Sequence, residues 1–342
     1  MRVAYGQQFD VPDGYLNTAS IGVPPAFAAD ILDEEVRRWR GGLTRPPHYD
    51  PYVATARQAW ASLVGVPAEQ VATGSGVSQL VGLVAASLPR STRVLTVGNE
   101  FTSVTFPFAA HGMTVTEVTP DELAGRVADH DLVAVSVVQS ADGTVIDLDA
   151  LRSALRAAST EVLVLLDVTQ AAGWLPLDLP WADWVVGTGY KWLMAPRGTA
   201  WLAATPAALD RTVPVAANWF AAPDPWQGIY GLPLRLARDA RRLDLSPVWF
   251  AQLGSAATLP WIAGLDLAAV RDHCVGLADA VLLARGERPR GSAIIAVDLT
   301  AEQAGRLAEA GVVGSVRAGR TRLAFHMYNT LADVDLVVDS TT

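Results

Sequence analysis

The middle of the chain alternates apolar runs with segments of helical spacing. The runs are VAT (71–73), TRVLTV (92–97), TVTEV (114–118), DLVAVSVV (131–138), EVLVLLDV (161–168), DWVVGTG (183–189) and TAWLAAT (199–205). Most are too short for a buried helix and too uniformly apolar for a strand with one wet face. They predict strands buried on both faces. Between them, QLVGLVAASL (79–88), DELAGRVADH (121–130) and DLDALRSALRAAS (147–159) predict helices. The last opens with acidic residues, which suit a helix N-terminus. Buried strands separated by helices make a mainly parallel α/β sheet.

The pattern changes near residue 255. LAAVRDHCVGLADAVLLARG (267–286) is helix-like, SAIIAVDL (292–299) strand-like, AEQAGRLAEAG (301–311) helix-like and VRAGRTRLAFHMY (316–328) strand-like, with a final helix after it. This α+β run predicts a small C-terminal domain. Between the two parts, residues 213–250 are rich in Pro, Trp and Arg and lack periodicity. A long irregular segment in a compact chain is usually functional or partner-binding.

Composition narrows the class. With 51% hydrophobic and 18% charged residues the balance is that of a globular protein. A net charge of −9 argues against a nucleic-acid partner, since no basic run is present to neutralise phosphates. One cysteine, Cys274, excludes an internal disulfide and a cysteine-cluster metal site, and no metal is expected. The N-terminus lacks the apolar core of a signal peptide, and the apolar runs are too short to span a bilayer. These features predict a soluble, cytoplasmic protein without a membrane partner.

One residue stands apart. Of 26 Lys and Arg positions only Lys191, in GTGYKWLMAPRG, is lysine. Arg supplies a cation equally well but cannot supply a neutral amine. A lysine in an apolar, Gly-rich neighbourhood can lose its proton and attack a carbonyl. A surface lysine that escaped a drift towards Arg is the other reading, and the neighbourhood favours a Schiff-base lysine.

Further signals are each ambiguous alone. TGSGVS (73–78) follows a strand and opens a helix, so its backbone N–H groups could cradle a phosphate. It is neither a nucleotide P-loop nor a dinucleotide fingerprint. Asp167 ends a buried strand, where ligands bind in open α/β sheets; it could keep a pyridinium nitrogen protonated, or cap a helix. Gln170 could contact a ring hydroxyl or merely sit in the turn. Arg322 could clamp a substrate carboxylate or form a structural ion pair. His326 reads as a packed or solvent-edge histidine. In this order, phosphate turn, strand-end Asp, lone Lys and late Arg make the layout of a fold type I pyridoxal phosphate enzyme.

The chain resembles the class V aminotransferase family, which includes cysteine desulfurase-like and kynureninase-like enzymes. The resemblance runs from YLNTAS (15–20) to RLAFHMYNT (322–330), with LLDVTQAAG (165–173) its most specific stretch. It implies a large domain over 46–250 with a mainly parallel, seven-stranded-type sheet. It also implies a small α+β domain over 251–342, with residues 1–45 packed on the latter. The cofactor it implies is pyridoxal 5'-phosphate. Ser75, Gly76, Val77 and Thr188 would hold the phosphate, and Phe101 would stack on the ring. Ser140, or alternatively Gln139, would contact the ring hydroxyl together with Gln170. Asp167 would pair with the ring nitrogen, Lys191 would carry the Schiff base, and Arg322 would bind the substrate carboxylate. Ser246, in RLDLSP, would reach the phosphate of a neighbouring subunit, which implies a homodimer with shared active sites.

Two departures from the family pattern bear on mechanism. VRAGRTR, the region shortly before the late Arg, holds no cysteine, so persulfide chemistry is not expected, and Cys274 reads as a small buried hydrophobe. Tyr190 stands where many members have His. The expected function is an aminotransferase-like reaction on an α-amino acid, with a C–S or C–C β-lyase as alternative. A non-catalytic binding protein of the same fold is the alternative of another class. Trp219, Phe220, Trp226, Tyr230, Trp249 and Phe250 could wall the substrate pocket, or could serve interface and core packing.

Overall fold

The structure, a computed structural model, describes residues 1–341. The chain opens with an antiparallel ribbon, β1 (Arg2–Ala4) and β2 (Gln7–Phe9), then α1 (Ala26–Arg40) and α2 (Asp50–Val64). The central part runs β3 (Val71–Gly74), α3 (Val77–Ser87), β4 (Arg93–Val97), α4 (Thr102–Ala110), β5 (Thr114–Val118) and α5 (Leu123–Arg126). It continues through β6 (Leu132–Ser136), α6 (Leu148–Ala157), β7 (Leu163–Asp167), β8 (Trp184–Thr188), β9 (Ala200–Ala204) and α7 (Pro206–Arg211). The C-terminal part holds α8 (Trp249–Ala263), α9 (Leu267–Ala284), β10 (Ile294–Val297), α10 (Ala301–Glu309), β11 (Ser315–Arg317), β12 (Arg320–Ala324) and α11 (Leu331–Thr341).

Seven strands form one sheet in the order β3-β9-β8-β7-β6-β4-β5. β8 through β5 are mutually parallel, and β9 is antiparallel to both its neighbours. The continuous apolar runs follow from burial on both faces. Val133, Val135, Val164 and Leu166 point into one core, while Leu132, Ala134, Leu163 and Leu165 point into the other. The strand period of two divides each run between two helical layers. Antiparallel strands can be joined by a short connection, whereas parallel ones need a crossover. β8 and β9 are therefore joined without a crossover helix, by residues 189–199, and this loop carries Lys191 beyond the carboxyl end of β8.

A second sheet, β10-β12-β11, is antiparallel. It packs with α9 and α11 around Leu277, Val281, Ile295, Leu323, Phe325 and Val337. Leu16 joins this cluster, and Tyr15 and Asn17 bridge to Val313 and Ala324. Arg2 forks onto Asp333 of α11 at 2.6 and 2.8 Å.

Two expected elements differ. DELAGRVADH forms only the four-residue α5 between tight turns, because Leu123 and Val127 are its only buried apolar side chains and Gly125 weakens its middle. VRAGRTRLAFHMY is not one strand but a hairpin. Ala318 (φ 46°) and Gly319 (φ 80°) turn the chain between β11 and β12. No single helix among the described residues is long and apolar enough to cross a membrane.

Candidate active site

The carboxyl ends of β3, β4, β7 and β8 deliver Ser75, Phe101, Asp167 and Lys191 to one edge of the sheet. This is the edge at which open α/β sheets bind ligands. A cavity of about 310 Å³ opens there, lined by Ser75, Gly76, Val77, Phe101, Asp167, Thr188 and Lys191 among others. Seven of the residues expected to serve the cofactor thus share one space.

At one end of the cavity α3 begins. Gly76 is extended at its N-cap, no side chain caps the first turn, and that turn holds no acidic residue. The free N–H groups and the helix dipole favour an anion. The Thr188 hydroxyl donates to the Thr199 carbonyl at 2.8 Å, leaving its oxygen able to accept. Ser75 Oγ donates to Gln79 Oε1 at 2.6 Å, so its hydroxyl oxygen is likewise free to accept.

Asp167 is 3% exposed. Its Oδ1 accepts from the Thr169 N–H at 2.8 Å, and the Thr169 side chain is a further hydrogen-bonding neighbour. Burial pushes this carboxyl up to about 6 and the Glu100 charge adds to that, while Thr169 and Lys191 oppose it. Thr169 lines the cavity beside it. A buried carboxylate that faces a cavity and has no cationic partner calls for a cationic donor. A protonated pyridine nitrogen meets that need, and the uncapped helix meets a phosphate. The residues present fit pyridoxal phosphate.

Lys191 is 5% exposed and pairs with no carboxylate among the described residues. Burial lowers its basicity to about 8; the charges of Arg322, Arg317 and Arg197 act in the same direction, and Asp167 opposes them. Its Nζ lies 5.3 Å from the Phe101 ring centre and 5.7 Å from that of Tyr190. The backbone around it is held from several sides. Gly22 N–H donates to the Tyr190 carbonyl at 3.0 Å. The Trp192 indole donates to Gln170 Oε1 at 2.8 Å. His326 Nε2 lies 3.0 Å from the Trp192 carbonyl, which can only accept, so Nε2 carries the proton. His326 is wholly buried beside the Trp192 ring, and burial depresses its pKa to about 3. It is a packed, neutral histidine.

Ser140, Gln170 and Arg322 do not line the cavity; they form a connected cluster on its flank. Gln170 Nε2 donates to the Ala19 carbonyl at 3.0 Å and to Ser140 Oγ at 3.1 Å. Arg322 Nη1 donates to the Ser140 carbonyl at 2.6 Å and to its Oγ at 3.0 Å, and Nη2 donates to Ser20 Oγ at 2.8 Å. Arg322 is 2% exposed and has no ion-pair partner among the described residues. Burial, aided by Arg317, lowers its pKa to about 10. A buried, unpaired guanidinium is costly unless an anion comes to it. Gln139 instead donates to Glu100 Oε2 at 3.0 Å and to the Ser136 carbonyl at 3.1 Å.

Ser246 lies outside the cavity on an exposed stretch. The segment leading to it is pinned to β3, where Leu245 N–H donates to the Thr73 carbonyl at 2.9 Å. None of the six aromatic residues from 219 to 250 lines the cavity. Trp249 stacks on Tyr49 at 5.1 Å, Trp219 packs on Phe220 and Trp226, and Tyr230 is 87% exposed. Cys274 is buried in α9, and burial pushes its thiol up.

Sequence reasoning missed several neighbours. Glu100 is buried and takes hydrogen bonds from the N–H groups of Phe101 and Ser136, both at 2.7 Å. An acidic residue closing an apolar strand was the available signal. Arg197 lines the cavity with its guanidinium 5.3 Å from the Tyr190 ring centre. Ser20 closes the YLNTAS stretch that carried the family resemblance, but nothing in that stretch tied it to Arg322.

Residues 47–282 match the family model "Aminotransferase class-V". The chain is 27% identical over 309 residues to the uncharacterized aminotransferase YcbU of Bacillus subtilis, covering 83% of this chain and 81% of that protein. It is 27% identical over 344 residues to isopenicillin N epimerase of Streptomyces clavuligerus, covering 93% and 74%. Its fold matches the cysteine desulfurase CsdA of Escherichia coli with TM-score 0.82 and 19% identity, covering 97% and 95% of the two chains. It also matches the cystine C-S lyase C-DES with TM-score 0.84 and 18% identity, covering 96% and 97%. The chain belongs to the class V aminotransferase family of pyridoxal phosphate-dependent enzymes.

Proposed function

We propose that this enzyme is an aminotransferase acting on an α-amino acid, with Lys191 both anchoring the cofactor aldehyde and moving the substrate α-proton. One observation carries the reading: a buried amine of lowered basicity faces the same cavity as a buried strand-end carboxylate. Pyridoxal phosphate supplies an electron-accepting ring when bound. The N–H groups of Ser75, Gly76 and Val77 would hold its phosphate together with the Thr188 hydroxyl. Asp167 would keep a proton on the ring nitrogen, and Phe101 would flank the ring. Ser140 and Gln170 set the position of Arg322, which takes the substrate carboxylate. Lys191, freed as an amine, is the base at the α-carbon.

The active unit is a homodimer in this reading. Ser246 is exposed on a segment pinned beside the phosphate turn. In the same irregular segment Tyr230, Leu232 and Leu234 are 87, 89 and 66% exposed, an apolar stretch suited to a second copy.

Epimerisation is the second reading, favoured by Tyr190. Its phenol lines the cavity beside Lys191 and offers a second proton-carrying group, and a relative is an isopenicillin N epimerase. Persulfide transfer is not proposed, since the one thiol is buried away from the cavity.

The test is visible absorbance of the purified, cofactor-loaded enzyme with single amino acids. Transamination bleaches the visible band and yields a keto acid. Epimerisation keeps the band, exchanges the α-proton with solvent and yields the enantiomer. β-Elimination keeps the band and releases ammonia with a keto acid. A protein that never binds the cofactor refutes the reading.

A further inference from the structure

Arg322 shares its hydroxyl partner with a second guanidinium. Ser20 Oγ lies 2.8 Å from Arg322 Nη2 and 3.5 Å from Arg317 Nη2. The hairpin imposes this arrangement. Its two-residue turn sets Ser315 opposite Arg322 and Arg317 opposite Arg320. Cross-strand partners and alternate residues share one face of a sheet, so all four side chains leave the same side.

Arg320 has a partner on that face, Asp298 at 3.2 Å. Arg317 and Arg322 have no carboxylate within ion-pair distance among the described residues. Their like charges oppose each other, and both lower the basicity of Lys191. A chain with net charge −9 does not lack carboxylates to neutralise them. Two unpaired guanidinium groups on one serine therefore suit a ligand with two negative ends. The buried Arg322 takes one end, and the exposed Arg317, at the outer end of β11, meets a group further along the ligand.

Resting on the proposed aminotransferase reading, we propose that Arg317 binds a second acidic group on the substrate side chain, so that amino dicarboxylates are preferred over their neutral amides. The α-carboxylate and the side-chain acid sit on Arg322 and Arg317 respectively, with Ser20 fixing the spacing between them. A solvated surface arginine, the alternative, would leave selectivity untouched.

The experiment compares kcat/KM of the cofactor-loaded enzyme for aspartate and glutamate with that for asparagine and glutamine. It repeats the comparison in Arg317→Ala and Arg317→Glu. The expected result is at least a ten-fold preference for an acid over its amide in the parent enzyme. The acid-to-amide ratio falls ten-fold or more in Arg317→Ala and inverts in Arg317→Glu. A parent enzyme that prefers the amides, or a ratio unchanged in both variants, overturns the assignment of Arg317. A parent protein that binds no cofactor overturns the underlying reading and this one with it, whereas one that binds the cofactor but turns over none of the four amino acids overturns the assignment of Arg317 alone. Arg317 is exposed, so the variants are expected to fold, and their visible absorbance band checks that they have.

Discussion

Gly22 and Lys191 meet backbone to backbone. A β-carbon on Gly22 would lie 2.0 Å from the Lys191 carbonyl oxygen, closer than such contacts occur, and the neighbouring Gly22 N–H holds the Tyr190 carbonyl. Backbone cannot swing aside as a side chain can. Gly22→Ala must therefore displace either the N-terminal segment or the lysine itself. The expected outcome is a loss of about 1–3 kcal/mol in thermal or urea unfolding. A drop in turnover on the order of a hundred-fold accompanies it, since small misplacements of a reacting group are costly.

Lys191 acts only as a neutral amine. Its pKa near 8 predicts that the rate of cofactor capture by the apoenzyme rises as pH increases through about 8 and then levels. An ordinary lysine would place that rise near pH 10.4. Lys191→Arg keeps the charge and loses the reaction, because guanidinium does not deprotonate. Stopped-flow absorbance on mixing apoenzyme with pyridoxal phosphate across the pH range checks both points.

Asp167 carries a cost to the fold. Its carboxyl is raised to about 6 by burial, so the folded state holds the proton more tightly than the unfolded chain. Its contribution to stability is present below the unfolded value, about 3.9, and is lost as pH rises through 6. At pH 7 the ionised group opposes folding. Asp167→Asn should stabilise the cofactor-free protein by on the order of 1–2 kcal/mol and raise its melting temperature. Turnover should fall by two orders of magnitude or more, as expected when a charge partner of the reacting system is removed. Calorimetry of the apoenzyme and steady-state rates of the loaded enzyme read the two effects separately.

Arg57 and Asp244 form a buried bidentate pair, with bonds of 3.0 and 2.6 Å, and Asp244 also takes the Thr73 N–H at 2.8 Å. This pair clamps the segment before Ser246 onto β3. Asp244→Ala strands a buried guanidinium and should cost roughly 3–5 kcal/mol. Replacing both partners by apolar residues should cost much less in the same denaturation experiment, and a double-mutant cycle separates the coupling from the single losses.

Asp333 couples the chain termini. It is wholly buried; burial would raise its carboxyl, but Arg2 and the N–H groups of Gly14 and Thr330 outweigh that and hold it below the usual range. A depressed carboxylate stabilises the fold above its unfolded pKa, and that stability is lost as pH falls through the lower folded value. Arg2→Ala should shift acid unfolding to higher pH. An acid titration followed by circular dichroism measures the shift.

The parts of this fold that could be read from sequence are those governed by local physics. Continuous apolar runs gave the buried strands to within a residue or two, because burial on both faces leaves little choice of residue. Lys191 and Asp167 were legible from chemistry, as a lone amine and a carboxylate ending a buried strand. Ser75, Gly76 and Val77 were legible as a strand-to-helix turn. The short antiparallel return through β9 was not, because strand direction leaves no mark in a run such as TAWLAA. Ser20, Glu100 and the Arg317–Arg322 pairing were hidden for another reason. Each depends on what lies across space, and the AG turn that sets the last uses Ala at a positive φ where Gly or Asn would have announced it.

The hydrogen bond from Arg322 to Ser20 spans 302 positions of sequence, and that from Arg2 to Asp333 spans 331. Closing such long loops is entropically expensive and slow, so contacts of this kind form late on a folding pathway. The central sheet can collapse from neighbouring β–α units without either terminus. The Arg322–Ser20 contact cannot exist until the segments that carry those two residues have docked. The large core can therefore assemble before that contact forms, and if Arg322 binds the substrate carboxylate, the ability to hold a substrate follows cofactor capture. In refolding, cofactor colour and substrate response should return as two separate phases, the second slower.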